Sequence, residues 1–326
     1  MSTISLTQKT TESSGVKKLG MLEKFIYGSG DIGLTCMYMI FSSYVMYFYT
    51  DVLLENAAII GTVILVSRIF DGISDLIAGH YIDTHSGRWG HCGTALAKIA
   101  FPLAISLLLV FTVPNASLGI RIAYIFVTYN LFNTVCYTVA NIAHVSMPSY
   151  VTDDEVSRSQ MSVLKMLFAA AGQTVLASTL MPLVNLLGGE ANKMAWVKAI
   201  IVLDLIGVFF IFFNVFFVKE RVKNDTPPEN FLSGLKAAVQ NKYWIICIVF
   251  TLMTNMMLYF NLSVSVYYLN SVVNNMGLMG AYVAACNMPG VIVMFIMPFV
   301  LHKVSKKNLA LINTFPIHGT IHTNGS

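Results

Sequence analysis

The chain has 326 residues, of which 56% are hydrophobic and 11% charged, and its mean hydropathy is +0.69. Soluble domains carry about a quarter charged residues, so these values exclude a water-soluble globule and indicate an all-α integral membrane protein. The net charge of +4 comes from basic residues spread over loops with no basic patch, which excludes a nucleic-acid surface.

Residues 1–20 are polar and lack the apolar core of a cleavable signal. About 20 apolar residues span a bilayer. On that criterion eight spans are predicted, near 28–50, 57–82, 93–113, 119–147, 161–187, 194–218, 243–269 and 278–302. The joining loops alternate in charge, with fifteen Lys and Arg on one side and three (Arg121, Lys193 and Lys198) on the other. By the positive-inside rule, residues 1–27 lie in the cytoplasm, and with eight spans the carboxyl end does too. Residues 28–218 form a six-span unit and 219–242 a cytoplasmic linker with a short amphipathic piece at Phe231 to Gln240. Residues 243–312 hold two more spans, and 313–326 have no apolar periodicity and read as a disordered tail. Six spans plus two is unbalanced for a transporter, so a truncated carboxyl half is expected.

The second span carries the costliest residues. A charge at mid-bilayer costs a few kcal/mol or more and marks an ion or substrate pathway by default. In Arg68-Ile-Phe-Asp-Gly-Ile-Ser-Asp75, Asp71 lies roughly 60° and Asp75 roughly 20° from Arg68 around a helix, so the three share a face that should avoid lipid. Arg68 can neutralise only one acid, which points to a mobile cation or proton as the missing partner. Gly79, Asp83, Arg88 and Gly90 follow in a charged turn.

Polar residues also recur on one face of two other spans. The first has Asp31, Thr35, Tyr38, Ser42 and Tyr49, and the fourth has Asn130, Asn133, Tyr137, Asn141 and His144. With Lys165 near the start of the fifth span they suit a hydrated cavity for a polyhydroxylated ligand. Such stripes also glue helices together, the favoured reading for Ser42, Asn130 and Asn133. A structural hydrogen bond competes with a pathway role at His144, and Asp31 could equally hold a helix start. Asp204 reads as a buried structural or near-interface acid. Cysteines 36, 92, 136, 247 and 286 show no CxxC pairing and read as small core residues with no redox or metal role.

Tyr27-Gly-Ser-Gly-Asp-Ile-Gly33, Phe48-Tyr-Thr-Asp-Val52, Arg68 to Asp75, Gly87-Arg-Trp-Gly90 and Tyr137-Thr-Val-Ala-Asn-Ile142 resemble the glycoside–pentoside–hexuronide:cation symporters, as do Arg158 to Lys165, Tyr267-Tyr268 and Lys306-Lys307-Asn. The likeness runs over about residues 20–312. It implies a major facilitator fold of twelve helices, eight of them present, working by alternating access in the cell inner membrane. It implies a sugar or glycoside as substrate, H+ or Na+ as coupling ion, and no other cofactor or metal. By position, Asp71 and Asp75 would hold the cation, with Asn141 completing the site or touching sugar. Asp31, Thr35, Tyr38, Tyr137, His144 and Lys165 would line the sugar site, Lys165 standing where an arginine is usual. In the turn after span two, Gly79 would permit close helix approach and Asp83 and Arg88 would latch neighbouring helices, with Gly90 and Arg158 in structural or gating roles. Four departures stand out: Leu34-Thr35, Asn141, Ala143-His144 and His91-Cys-Gly-Thr. They favour proton coupling.

Two other readings compete. One is an inactive remnant of such a symporter. The other is a lipid-head-group phosphotransferase, since Asp71-Gly72, Asp75, Gly79 and Asp83 partly mimic its acidic motif. That motif misses at three positions, so the chain reads as a transporter and not an enzyme.

Overall fold

The computed structural model describes residues 19–222 and 239–271. Six helices in it are long and apolar enough to cross a membrane: α1 Met21–Val52, α2 Ala57–Thr84, α3 Cys92–Phe111, α4 Leu118–Val151, α5 Glu155–Leu186 and α6 Lys193–Phe217. A further helix, α7, follows at Lys242–Ser271, and its Tyr243, Trp244 and Ile246 are exposed. The predicted eighth span at 278–302, the tail 313–326, most of the linker and Cys286 lie outside the described residues.

Helix ends follow local chemistry. Asn56, Asp154 and Asn192 precede α2, α5 and α6, and each accepts from backbone N–H groups of the first turn. Asp154 moves the start of α5 to Glu155, ahead of the apolar run, and α1 likewise starts early, at Met21. Asp31 and Lys165 therefore each lie ten residues into their helices, counting from Met21 and Glu155, or about 15 Å along the axis. Neither is at a helix start.

Helix α1 is the hub, packed chiefly against α5 and α6. The motif glycines explain how. A Cβ at Gly28 would meet Leu164 and Phe168 of α5, one at Gly30 would meet Asn214, and one at Gly33 would strike the backbone carbonyl of Gly207. No residue with a side chain fits at the α1–α6 crossing without moving a helix. Tyr49, placed by spacing on the cavity stripe, instead lies in the core and donates to the Val110 carbonyl of α3 (3.0 Å). It sits in a wide turn, Phe48–Val52, that ends α1. Phe41, Phe48, Phe111 and Trp196 build an aromatic core at that end of the bundle.

Helix α2 is the exception. Only 17% of its central stretch is buried, against 56% for α3. Leu65, Ile69, Ile73 and Ile77 are all exposed.

Candidate functional site

Two carboxylates organise the polar interior. Asp31 is buried on α1. It accepts from Thr35 Oγ1 (3.1 Å), and its Oδ1 lies 3.6 Å from His144 Nδ1 on α4 and 3.9 Å from Lys165 Nζ on α5. His144 is pinned. Its ring stacks on Tyr27 with centroids 4.6 Å apart, its Nε2 lies 3.2 Å from the Tyr27 carbonyl, and its own carbonyl accepts from Tyr27 Oη (2.9 Å). Asn214 of α6 donates to the same Tyr27 carbonyl (3.1 Å). Four helices thus meet at this point, and the structure brings together four of the predicted sugar-wall residues: Asp31, Thr35, His144 and Lys165.

The second carboxylate, Asp71 on α2, is held mainly by neutral donors. Asn133 Nδ2 lies 2.9 Å from both of its oxygens, Thr134 Oγ1 donates at 2.7 Å, and Arg68 Nη1 stands 3.4 Å away. Ser74 adds a hydrogen bond to the Thr134 carbonyl. Neighbouring residues 133 and 134 both reach one carboxylate because α4 contains a π-helical stretch, Leu131–Tyr137. A π-bulge carries one extra residue and so turns everything beyond it by about 100° relative to a regular helix. Asn141 stands further along α4, about 12 Å beyond Asn133, and is not joined to the Asp71 group. Asn141 has no hydrogen-bond partner among the described residues. Asp75 is exposed one turn beyond Asp71 and likewise has no hydrogen-bond or ion-pair partner among them. Arg68 does not shun the surface either: about half of its side chain is open.

The predicted Tyr38 and Tyr137 lie between the two groups as a stacked pair, centroids 4.4 Å apart. Tyr137 is within electrostatic range of Asp31, and Tyr38 of Arg68. A flat aromatic pair flanked by acids, a lysine and a hydroxyl has the chemistry of a wall for a polar ring compound.

One end of the bundle is tied separately. Gly87 and Gly90 bond each other's backbone, with Gly90 at φ +87°, in the left-handed region that favours glycine. This tight turn leaves Arg88 beside Trp89, 5.8 Å from the ring centroid, and does not bring it to Asp83. Asp83 accepts from Tyr150 of α4 (2.8 Å) and so ties α2 to α4, while Arg88 has no ion pair among the described residues. Gly79 has open space where a Cβ would stand, whereas Gly28, Gly30 and Gly33 of α1 are sites of close helix approach. Arg158 holds the Thr152 carbonyl (2.7 Å) and Asp153 (3.2 Å), closing the turn before α5. Glu220, just beyond α6, accepts from the free N–H groups of His91 (2.7 Å) and Gly93 (2.8 Å) at the start of α3. Arg221 pairs through both guanidinium arms with Glu23 of α1, each at 2.9 Å. Nothing in the local sequence at Lys219-Glu220-Arg221 announces either contact.

The family described as MFS/sugar transport protein matches residues 26–317. The chain belongs to that family. Among curated relatives, an inner membrane symporter of Escherichia coli, YicJ, is 31% identical over 226 residues, 69% of this chain and 49% of its own length. The isoprimeverose transporter of Lactiplantibacillus pentosus is 29% identical over 294 residues, 89% of this chain and 61% of its own. A glucuronide carrier protein homolog of E. coli is 25% identical over 288 residues, 88% and 63% respectively. The chain thus spans about half to three-fifths of the length of the curated relatives it matches. These proteins are transporters, which sets aside the phosphotransferase reading. The family and the six apolar helices together make this a multi-pass membrane protein of the major facilitator fold.

Proposed function

We propose that this chain belongs to a sugar:cation symporter working by alternating access, with its amino terminus in the cytoplasm. The observation that carries the reading is the meeting of Asp31, Thr35, His144 and Lys165 from three helices, with Asp31 and Lys165 about 15 Å inside their helices, beside the Tyr38–Tyr137 stack. Intramembrane charge gathered at such a point is expensive unless something uses it. A sugar would lay its ring on the tyrosines and spend its hydroxyls on Lys165, Asp31 and Thr35. Asp71 would hold the coupling ion, H+ or Na+. Its carboxylate already has three neutral donor contacts, and the exposed Asp75 stands one turn away as a second oxygen source, while Asn141 would serve the sugar side of α4. The names of the relatives, an isoprimeverose transporter and a glucuronide carrier homolog, support a glycoside as the substrate class.

The test separates binding from movement. Labelled isoprimeverose and a methyl glucuronide are offered to the purified chain in nanodiscs, with and without Na+ and at two pH values, then to proteoliposomes in counterflow. Saturable binding that strengthens with Na+ or at low pH is expected, and it should disappear in Lys165→Met. Absence of binding by every glycoside tried would reject the sugar reading.

A further inference from the structure

The His144 imidazole poses a proton-counting problem. Its Nε2 faces the carbonyl oxygen of Tyr27, which can only accept, so Nε2 carries a hydrogen. In a neutral ring Nδ1 then bears a lone pair. That atom is buried, has no hydrogen-bond partner, and lies 3.6 Å from Asp31 Oδ1. A lone pair facing a carboxylate at that distance, out of water, is repulsive. One proton between the two turns the repulsion into a charge-assisted hydrogen bond. The Lys165 ammonium, 3.9 Å from the same Asp31 oxygen, is the alternative way to neutralise the acid.

The surroundings narrow the choice to these groups. The side chains facing the pair are Tyr27 and Thr35 from α1, Tyr137 from α4, Lys165 from α5, Asn214 from α6 through the Tyr27 carbonyl, and the Cys92 thiol of α3 near Tyr27. Accessibility is graded. Lys165 keeps 22% of its side chain open, while Asp31 and His144 keep 7% and 1%. The lysine can swing toward a ligand, His144 stays sealed, and Asp31 keeps only a narrow opening.

We propose that Asp31 and His144 form an exchangeable proton site separate from Asp71, and that Lys165 couples it to ligand. With Lys165 on Asp31, acid and ammonium balance and His144 is neutral. When a ligand draws the ammonium away, a proton from solvent forms the Nδ1–H bond of His144 and donates to Asp31 Oδ1, restoring neutrality. Release of the ligand returns Lys165 to Asp31 and the proton to water. The ligand half of this cycle rests on the sugar reading above; the proton site itself does not.

The experiment has two arms on the full chain in nanodiscs. In the first, nitrogen-15 NMR follows the histidine side chains from pH 4 to 10, with His144 assigned by its loss in His144→Gln. Lys165→Met leaves the buried pair intact and removes its competitor, so the His144 midpoint should rise by about one pH unit or more, the size typical of removing a like charge at this range. Asp31→Asn should lower it. A His144 signal that does not titrate, or a midpoint indifferent to Lys165→Met, would overturn the site. In the second arm, a pH-indicator dye reports proton uptake on adding isoprimeverose or methyl glucuronide. About one proton per ligand is expected in the unaltered chain and none in His144→Gln, whose side chain cannot take the proton. Ligand binding without uptake overturns the coupling. A first arm that succeeds while neither sugar binds rejects the sugar reading and leaves the proton site standing.

Discussion

Asp31 and Asp71 are both acids inside the apolar part of the same bundle, and the bundle treats them oppositely. Asp31 is enclosed where four helices meet and is balanced by cationic or ionisable groups, Lys165 and His144. Asp71 sits on the least buried of the six spans and is balanced chiefly by an amide and a hydroxyl, with Arg68 half in the open. An acid matched by charge inside a closed interface is bound up with the fold. An acid held by neutral donors at an open face keeps its charge available for something that comes and goes. Damage at the first should therefore cost more stability, and damage at the second should remove the response to Na+.

The sharpest way to break this contrast is to insert a methyl group on each side of it. In Gly33→Ala the new Cβ would run into the Gly207 carbonyl, a backbone atom that cannot rotate away. Overpacking of this kind costs about 3 kcal/mol, and the α1–α6 crossing should open. In Gly72→Ala, one residue after Asp71, the methyl group meets nothing within 4 Å. Better helix propensity should make that variant more stable by about 0.5–1 kcal/mol. Thermal unfolding in detergent, followed by tryptophan fluorescence, compares the two. Equal effects would mean that the two sites are equally enclosed.

Next come the acids themselves. Asp31→Asn leaves Lys165 and His144 without their carboxylate and should cost about 2 kcal/mol, the usual loss for a buried hydrogen-bonded charge. Asp71→Asn, facing Asn133 and Thr134 at the open side, should cost about 1 kcal/mol or less. Any shift of the unfolding temperature by Na+ should vanish in Asp71→Asn and survive in Asn141→Ala. If Asn141→Ala abolishes the ion response too, the geometry around Asp71 has been misassigned.

The same contrast explains what the sequence could and could not convey. The first six span positions were legible, because unbroken apolar runs leave few alternatives in a bilayer. So was much of the Asp31 group: Asp31 and Thr35 are one turn apart on α1, and Lys165 is a lone cation in its stretch. The Asp71 group was half legible. The acid announced itself by cost, but its partner Thr134 is off the stripe that regular helical spacing draws through Asn130, Asn133, Tyr137, Asn141 and His144. A π-bulge leaves no compositional mark at Leu131–Tyr137, so phase was lost there. The turn after α2 failed for a different reason. Asp83 and Arg88 are close in sequence and opposite in sign, yet Tyr150 and Trp89 take them. The helix cap at His91 and Gly93 comes from Glu220, more than a hundred residues away.

The smallest effect tests whether the two acids can be uncoupled at a distance. Helix α5, which carries Lys165, begins at the Asp154 cap, while the Asp71 group has no member on α5. Hydrogen bonds from Ser157, helped by the Val156 N–H and Lys24, hold the Asp154 carboxyl below the usual carboxylate range. A lowered acid stabilises the fold above its unfolded value, near pH 4, and the contribution fades as pH falls through the lowered one. The loss should be about 0.5 kcal/mol, the low end for a helix cap, since Asp154 is largely solvated. It should appear only below about pH 4 and be absent in Asp154→Ala. Because the frayed turn precedes Lys165 by about three turns of helix, amide exchange should rise in α5 and leave the Asn133–Thr134 segment unchanged. Faster exchange at both would show that the closed and open sites share one cooperative unit, and that the contrast drawn between them is one of degree.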